Sequence, residues 1–251
     1  MADSARMKSS QSRTTLDRIL SRFGIASRVE ARAVIQQGRL KVNGRVAGDP
    51  DLWVLPDKDV IHLDGQRLKP APKTYLLFYK PKGVITSHGD PQGRRTVYEF
   101  LGAAGKWVFP VGRLDKDTSG LLLLTNDTVF ADFVTRPESR VPKTYRVKTS
   151  GIIRDEVISK LAAGIEMKRG DWAHPRVVRR LEDRGKYTWL EVVLTEGKNR
   201  EIRRMIEAAG FKVLKLVRTG IGTLTLEGLE VGKWRRLRPP EVGSLRRRGL
   251  A

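Results

Sequence analysis

The stretch VGRLDKDTSGLLLLTND, Val111 to Asp127, sets an acid-bearing turn directly against an uninterrupted run of four leucines. A continuous apolar run of this kind, closed by Gly120 on one side and by Thr125-Asn126-Asp127 on the other, predicts a strand buried on both faces. Such a strand belongs inside a covered sheet, and Asp115 then sits where a core element meets a loop. Two readings of this acid are open. DKDTSG has the composition of a turn, in which an aspartate commonly bonds the neighbouring backbone. Alternatively, the carboxylate is held at the mouth of the sheet for chemistry.

Composition narrows the possibilities. The chain has 251 residues, of which 39% are apolar, enough for one large domain or for a small and a medium one with real cores. Forty-nine Lys and Arg against 28 Asp and Glu leave a formal charge of +21, so a polyanion is the expected partner. The absence of cysteine excludes disulfides, a thiol nucleophile and thiolate metal sites, and His62, His88 and His174 show no ligand spacing. No metal is expected. No apolar stretch approaches a membrane span, and MADSARMKSSQSRTT at the N-terminus has no secretory apolar segment, which predicts a cytoplasmic chain without membrane association.

The chain divides into five parts. Residues 1–13 are polar, basic and without periodicity, and read as a disordered tail. In the small domain, 14–68, Leu16, Ile19, Leu20 and Phe23 mark one face of a helix stopped by Gly24. A second helix follows, with Ser27 and Glu30 spaced as a capping box, Val29 and Ala33 on one face and Gly38 at the C-terminal cap. RLKVNGRV, Arg39 to Val46, reads as a hairpin turning at Asn43-Gly44, and DVIHL as a strand running into Asp64-Gly65. Arg18, Arg22, Arg28, Arg32, Arg39, Lys41 and Arg45 crowd these elements with few carboxylates nearby, the footprint of a phosphate-binding surface. KPAPK, 69–73, reads as an extended linker. A larger domain covers 74–240, and 241–251 reads as a basic C-terminal tail.

Within the larger domain, KTYLLFYKPKG, KWVFPVG, KTYRVKTSG, RVVRRLE, TWLEVVLTEG and FKVLKLVRTGIG are strand candidates. Their irregular spacing lacks the rhythm of a doubly wound fold, and no Gly-rich nucleotide loop is present. An α+β fold with a mixed, mainly antiparallel sheet and flanking helices is expected. EGKNREIRRMIEAAGF carries a helix whose stripe is Ile202, Met205, Ile206 and Ala209, closed by Gly210, with Arg200 and Arg204 facing away. Arg203 lies about 60 degrees round from Ile206 by the helical repeat. It either reaches along the core boundary or pairs with Glu207 at the surface.

Taken together, these segments carry a resemblance. LDRILSRFGIASRVEARAVIQQGRLKVNGRV, Leu16 to Val46, is similar to the S4-type RNA-binding domain. YKPKG at 79–83, GRLDKDTSGLLLLTND at 112–127, KTYRV at 143–147 and EGKNREIRRM at 196–205 follow the order and spacing of the ribosomal RNA pseudouridine synthases of the RsuA/RluB type. The resemblance spans residues 15 to 240. One departure is Thr128, where a glycine commonly follows the family's Asn-Asp pair.

What the resemblance implies is conversion of a chosen uridine of ribosomal RNA, or of a ribosomal subunit precursor, to pseudouridine by a monomer, with the large subunit favoured and, since the reaction is an isomerisation, neither a metal nor an organic cofactor needed. The base is flipped into a pocket, where Asp115 resembles the catalytic aspartate. Desolvation disfavours an ionised carboxylate, so a cation is expected beside it, and Arg203 matches the family's pairing arginine. Tyr145 matches the aromatic that stacks on the base; a plain sheet tyrosine is its alternative. Arg113, Lys198, Arg200 and Arg204 are expected to contact the RNA. Two other classes are weighed. A noncatalytic ribosome-assembly factor leaves the co-occurrence of GRLD, KTYRV and EGKNREIRRM without a reason. An RNA hydrolase or glycosidase using Asp115 lacks a second carboxylate partner, since Asp117 lies on the same loop.

Overall fold

The leucine run forms a strand whose neighbours cover both of its faces. The computed structural model describes residues 13–247 other than Gly24, Ser27, Asp57, Pro70 and Lys106, and other than the side chains of Arg22, Arg169 and Arg247. Residues 1–12 of the expected N-terminal tail, the Gly24 stop, the Ser27 cap and the contact of Arg22 therefore lie outside the described residues. The chain separates into two units, Met1–Lys73 and Thr74–Ala251. No helix among the described residues is long and apolar enough to cross a membrane.

The first unit runs β1 (Thr14–Thr15), α1 (Leu16–Arg22), α2 (Arg28–Gln36), β2 (Leu40–Val42), β3 (Arg45–Val46), β4 (Trp53–Val54), β5 (Ile61–Leu63) and β6 (Gln66–Arg67). Strands β3-β2-β5-β6 form an antiparallel sheet, and β1 pairs with β4. Asn43 and Gly44 both take positive φ, 50 and 83 degrees, as the tight hairpin demands. Leu16, Ile19, Leu20, Ala31, Ile35 and Leu40 make the core. The inward face of α2 differs from the expected one: Val29 is 81% exposed while Ala31 and Ile35 are buried. A helix turns about 100 degrees per residue, so carrying 31 and 35 inward sends 29 and 33 to the opposite side.

The second unit opens with β7 (Tyr75–Lys80), β8 (Phe109–Val111), β9 (Ser119–Thr125) and α3 (Thr128–Thr135). It continues through β10 (Lys143–Thr149), α4 (Asp155–Ala163), the short pair β11 (Ile165–Glu166) and β12 (Trp172–Ala173), β13 (Val177–Arg184) and β14 (Tyr187–Leu194). It closes with α5 (Glu201–Ala208), β15 (Val213–Ile221), β16 (Leu224–Thr225), β17 (Trp234–Arg236) and α6 (Pro239–Arg247). The nine-stranded sheet has the order β13-β14-β10-β15-β9-β7-β17, with β16 on β15 and β8 on β9. Only β9 and β15 run parallel, which makes the sheet mixed and mainly antiparallel.

Strand alternation sends successive leucines of β9 to opposite faces. Leu121 and Leu123 enter a cluster with Phe130, Val134 and Leu245. Leu122 and Leu124 enter another with Phe78, Val97 and Leu101. The first cluster includes Val242 and Leu245 of α6, so the segment read as a tail from 241 is helical as far as Arg247. Two apolar residues three apart suffice to dock it, and Arg246 reaches Asp127 at 3.0 Å while Arg235 bonds Glu241. Asp127 also caps α3 by accepting from the Phe130 amide, so Thr128 opens the helix without a glycine.

The parallel seam depends on Gly120. Its φ is +121 degrees, and a Cβ there would lie 2.3 Å from the carbonyl oxygen of Arg218. Gly120→Ala is therefore expected to destabilise the protein by roughly 2–4 kcal/mol, the sum of an unsuitable φ and a backbone clash. Urea unfolding of the variant against wild type measures this; a change within error would mean that the seam has slack.

Candidate active site

Asp115 lies on the loop between β8 and β9, and that loop is tied down through its backbone. The Thr118 amide donates to the Asp115 carbonyl at 3.1 Å, and the Gly83 amide to the Lys116 carbonyl at 2.7 Å. Thr86 Oγ1 bonds the Leu114 carbonyl at 2.9 Å and accepts from the Leu114 amide at 3.3 Å. Lys80, at the end of β7, is fully buried, and its Nζ donates to the carbonyls of Pro81 at 3.0 Å, Asp115 at 3.1 Å and Thr118 at 2.7 Å. Burial holds the Lys80 ammonium well below its ordinary value of 10.5, at about 8, against the opposing pull of Asp115 and Asp117.

In this arrangement the backbone and the side chain of Asp115 are engaged separately. The turn is made by its carbonyl, while its carboxylate accepts no backbone hydrogen bond among the described residues. The nearest cation to that carboxylate is Arg200, whose Nη1 stands 3.6 Å from Oδ2. The expected cation, Arg203, goes elsewhere. Its Nη2 bonds both the carbonyl and the carboxylate of Asp117, at 3.1 Å each, and its Nη1 bonds the Val213 carbonyl at 3.3 Å. The reason is the loop's geometry. Arg203 leaves α5 along the core boundary, only 8% exposed, and meets the loop at Asp117, whereas the Asp115 side chain turns towards solvent and is 38% exposed.

Arg200 was expected to face away. It takes a left-handed backbone, φ 47 and ψ 33 degrees, at the N-cap of α5, which directs its guanidinium to Asp115 and, at 3.3 Å, to Asp117. A non-glycine residue in that region carries strain and persists where its surroundings hold it. The two aspartates and the two arginines thus form a clamp between the acid loop and α5. No Arg203–Glu207 pair forms.

Above the clamp lies a cavity of about 500 Å³ whose wall includes Asp115, Tyr145, Arg113, Lys143, Lys198, Arg200, Glu201 and Arg218. Five cations against two carboxylates make it basic. Tyr145 sits opposite Arg218 in the β10–β15 register, so both side chains project from one face of the sheet. Tyr145 also packs against the core beneath α5. Burial lowers Lys143 below its ordinary value, aided by the neighbouring positive charge of Arg218. Burial, and then the nearby Glu196, push the Glu201 carboxyl up to about 7.

Of the expected RNA-contacting residues, Arg18, Lys41 and Arg45 are exposed and have no carboxylate partner among the described residues. The neighbours of the other three are more acidic than the linear sequence suggests. Arg28 and Arg32 hold the buried Asp17 at 2.9 and 3.2 Å, Arg32 also reaches Asp51 at 2.8 Å, and Arg39 forks onto Asp64. Distant carboxylates meet these arginines only after folding. Arg204 is likewise engaged, with Asp171 at 2.5 Å, and Lys198 with the Trp172 carbonyl at 2.7 Å and Glu196 at 3.2 Å. Arg113 is exposed on the cavity wall. Sequence reasoning missed Lys80, Lys143, Glu201 and Arg218. The only available signal was a charged residue interrupting an otherwise apolar strand, as in YLLFYK and LKLVRTGI.

A basic cavity carrying a carboxylate on a loop fixed from below is the equipment of an enzyme acting on a polyanion. The chain belongs to the RNA pseudouridylate synthase family, whose model matches residues 74–208, and an S4 domain matches residues 14–60. It is 39% identical over 232 residues to the ribosomal large subunit pseudouridine synthase B of Bacillus subtilis, covering 92% of this chain and 95% of that one. It is also 39% identical to the protein of that name from Yersinia pestis, covering 88% and 72% respectively. A crystal structure of a pseudouridylate synthase superposes with a TM-score of 0.67 at 28% identity, covering 92% of this chain and 99% of that one.

The ammonium of Lys80 gives a pH-dependent test. Its folded-state value of about 8 lies below the ordinary 10.5, so the folded protein sheds this proton first and the unfolded chain binds more protons in that window. Wild-type stability relative to Lys80→Met should be flat below the lower value and rise between the two. Lys80→Met itself strands three carbonyls and should cost on the order of 2–4 kcal/mol near neutrality. Urea unfolding at a series of pH values checks both; a difference independent of alkaline pH would show that Lys80 titrates normally.

Proposed function

We propose that this chain isomerises a specific uridine of large-subunit ribosomal RNA to pseudouridine, with Asp115 as the catalytic carboxylate. The observation that carries the reading is the Asp115 side chain itself. Its backbone is pinned by Lys80 and Thr118, yet its carboxylate stands free of backbone bonds on the wall of a basic cavity of about 500 Å³. That volume falls within the range of small-molecule pockets, and a flipped uridine is such a guest. The named relatives support the choice of large-subunit RNA.

In this reading the target base enters the cavity and stacks on Tyr145, which also stands near enough to the ring to help move the C5 proton. The C1′–N1 bond breaks, the ring turns, and C5 bonds to C1′, with no net redox change and no water consumed. Arg200 and Arg203 hold the loop by pairing with Asp115 and Asp117, so removing either should displace the acid without removing it. Arg113 and Lys198 guide the RNA strand at the cavity, and Arg18, Lys41 and Arg45 grip phosphates from the S4 unit. The protein acts as a monomer in the cytoplasm.

Tritium release from ribosomal RNA carrying [5-³H]uridine tests the reading directly. Wild type should release the label and Asp115→Asn should not, while its RNA affinity stays within about threefold, roughly 0.7 kcal/mol. Turnover by Asp115→Asn would remove the carboxylate from the mechanism.

The S4 surface makes a separate prediction. Replacing Arg18, Lys41 and Arg45 together by Gln should weaken RNA binding and lower the log–log salt slope by roughly 0.7–0.9 per lost phosphate contact. Single-turnover rates at saturating RNA should be unchanged. Filter binding across salt concentrations decides it, and an unaltered slope would assign this surface another partner.

A further inference from the structure

Arg218 is not accounted for by the clamp. It stands in the middle of β15, is 4% exposed, and lines the same cavity as Asp115 and Tyr145. Its Nε donates to the Leu121 carbonyl at 2.7 Å, while Nη2 is buried with no hydrogen-bond partner. No carboxylate pairs with it among the described residues. A buried guanidinium with unused donors is costly, and such groups persist where a ligand completes them. The cross-strand pairing sets Arg218 opposite Tyr145, so the two side chains leave the same face of the sheet.

An RNA offers oxygens on its phosphates, its riboses and its bases. Phosphates stay on the outside of the strand, within reach of cations exposed on the cavity wall such as Arg113. The group that penetrates to a buried strand is the flipped base, whose carbonyl oxygens are acceptors and whose ring becomes negatively charged once its bond to ribose is broken.

We propose that Arg218 is a substrate-contacting residue for the isomerisation, donating to a carbonyl oxygen of the flipped uracil and stabilising the ring as it leaves C1′. This rests on the function proposed above. When the C1′–N1 bond breaks, its electron pair goes to the ring and the charge spreads over N1 and the carbonyl oxygens. C5 then bonds to C1′, loses its proton, and one proton is gained at N1, so atoms and charge balance. A fixed cation at the carbonyl oxygen is most useful while the ring is detached. Removing a preorganised donor of this kind lowers rates by about 10²–10³-fold.

The test uses the full-length protein with transcribed large-subunit ribosomal RNA, containing either [5-³H]uridine or 5-fluorouridine. Single-turnover loss of the substrate nucleoside, RNA affinity, its salt slope and the thermal midpoint are measured for wild type, Arg218→Met and Arg218→Lys. The expected result is unchanged affinity and salt slope, a loss of rate of about 10²–10³-fold for Arg218→Met, and partial rescue by Arg218→Lys, which retains the charge. The defect should shrink on 5-fluorouridine, because fluorine makes the departing ring a more stable anion and less dependent on the cation. An equal loss on both substrates with a lowered midpoint would reduce Arg218 to strand packing and overturn the proposal, as would a weakened affinity with a smaller salt slope, the sign of a phosphate contact. If Arg218→Met does not fold, wild-type behaviour by Arg218→Lys on both substrates likewise overturns it. Failure of wild type to release tritium would instead sink the underlying function.

Discussion

The buried ammonium of Lys80 is the constraint on which the site depends. A loop that leaves a sheet core must satisfy its carbonyls away from water, and three of them converge on one Nζ at the end of β7. The lysine serves as the internal solvent of the acid loop. Because it bonds the carbonyl of Asp115 and not the carboxylate, it fixes the residue's position while leaving the acid available. The proton on Lys80 is retained at a cost that its lowered value near 8 records. Such a site trades stability for placement, as polar groups at functional positions commonly do.

From that anchor the second unit builds outward. Gly120 allows β9 to lie parallel and close to β15, which carries Arg218 into the cavity wall; β10, on the other side of β15, brings Tyr145. Helix α5 packs its apolar stripe of Ile202, Met205 and Ile206 into the core beneath Tyr145, and its first turn delivers Arg200 and Arg203 to the loop. Three elements distant in sequence thus converge because one strand is buried on both faces and must have neighbours on both edges. The cavity is where their ends fail to fill the space.

The S4 unit illustrates how charge is distributed by folding. Its basic residues divide into those consumed by the protein, with Asp17, Asp51 and Asp64 as partners, and Arg18, Lys41 and Arg45, which are exposed without a carboxylate partner among the described residues. Asp17 is fully buried, and hydrogen bonds from Thr15 and Arg28 outweigh burial and hold its carboxyl below the usual range. Arg28 and Arg32 therefore join α1 to α2, a structural task that local sequence does not reveal.

Local pattern sufficed for much of the fold. Four consecutive leucines bounded by turn residues specified a two-faced strand, Asn43-Gly44 specified a hairpin, and the spacing of Ile202, Met205 and Ile206 specified the buried face of α5. Motif order placed the acid loop and α5 in one family, because a chemical requirement repeats in the same residues. Pairing partners were decided only in three dimensions. Whether Asp115 meets Arg200 or Arg203 depends on one left-handed backbone conformation at the start of α5, and whether Arg203 meets Asp117 depends on where a loop tied by Lys80 comes to rest. The C-terminal helix, short and basic in sequence, became legible only when Val242 and Leu245 found the cluster around Leu121. Sequence records each residue's capacity to bury, bond or ionise; which capacity is used depends on neighbours brought in from far along the chain, and that is fixed by the packing of the whole unit.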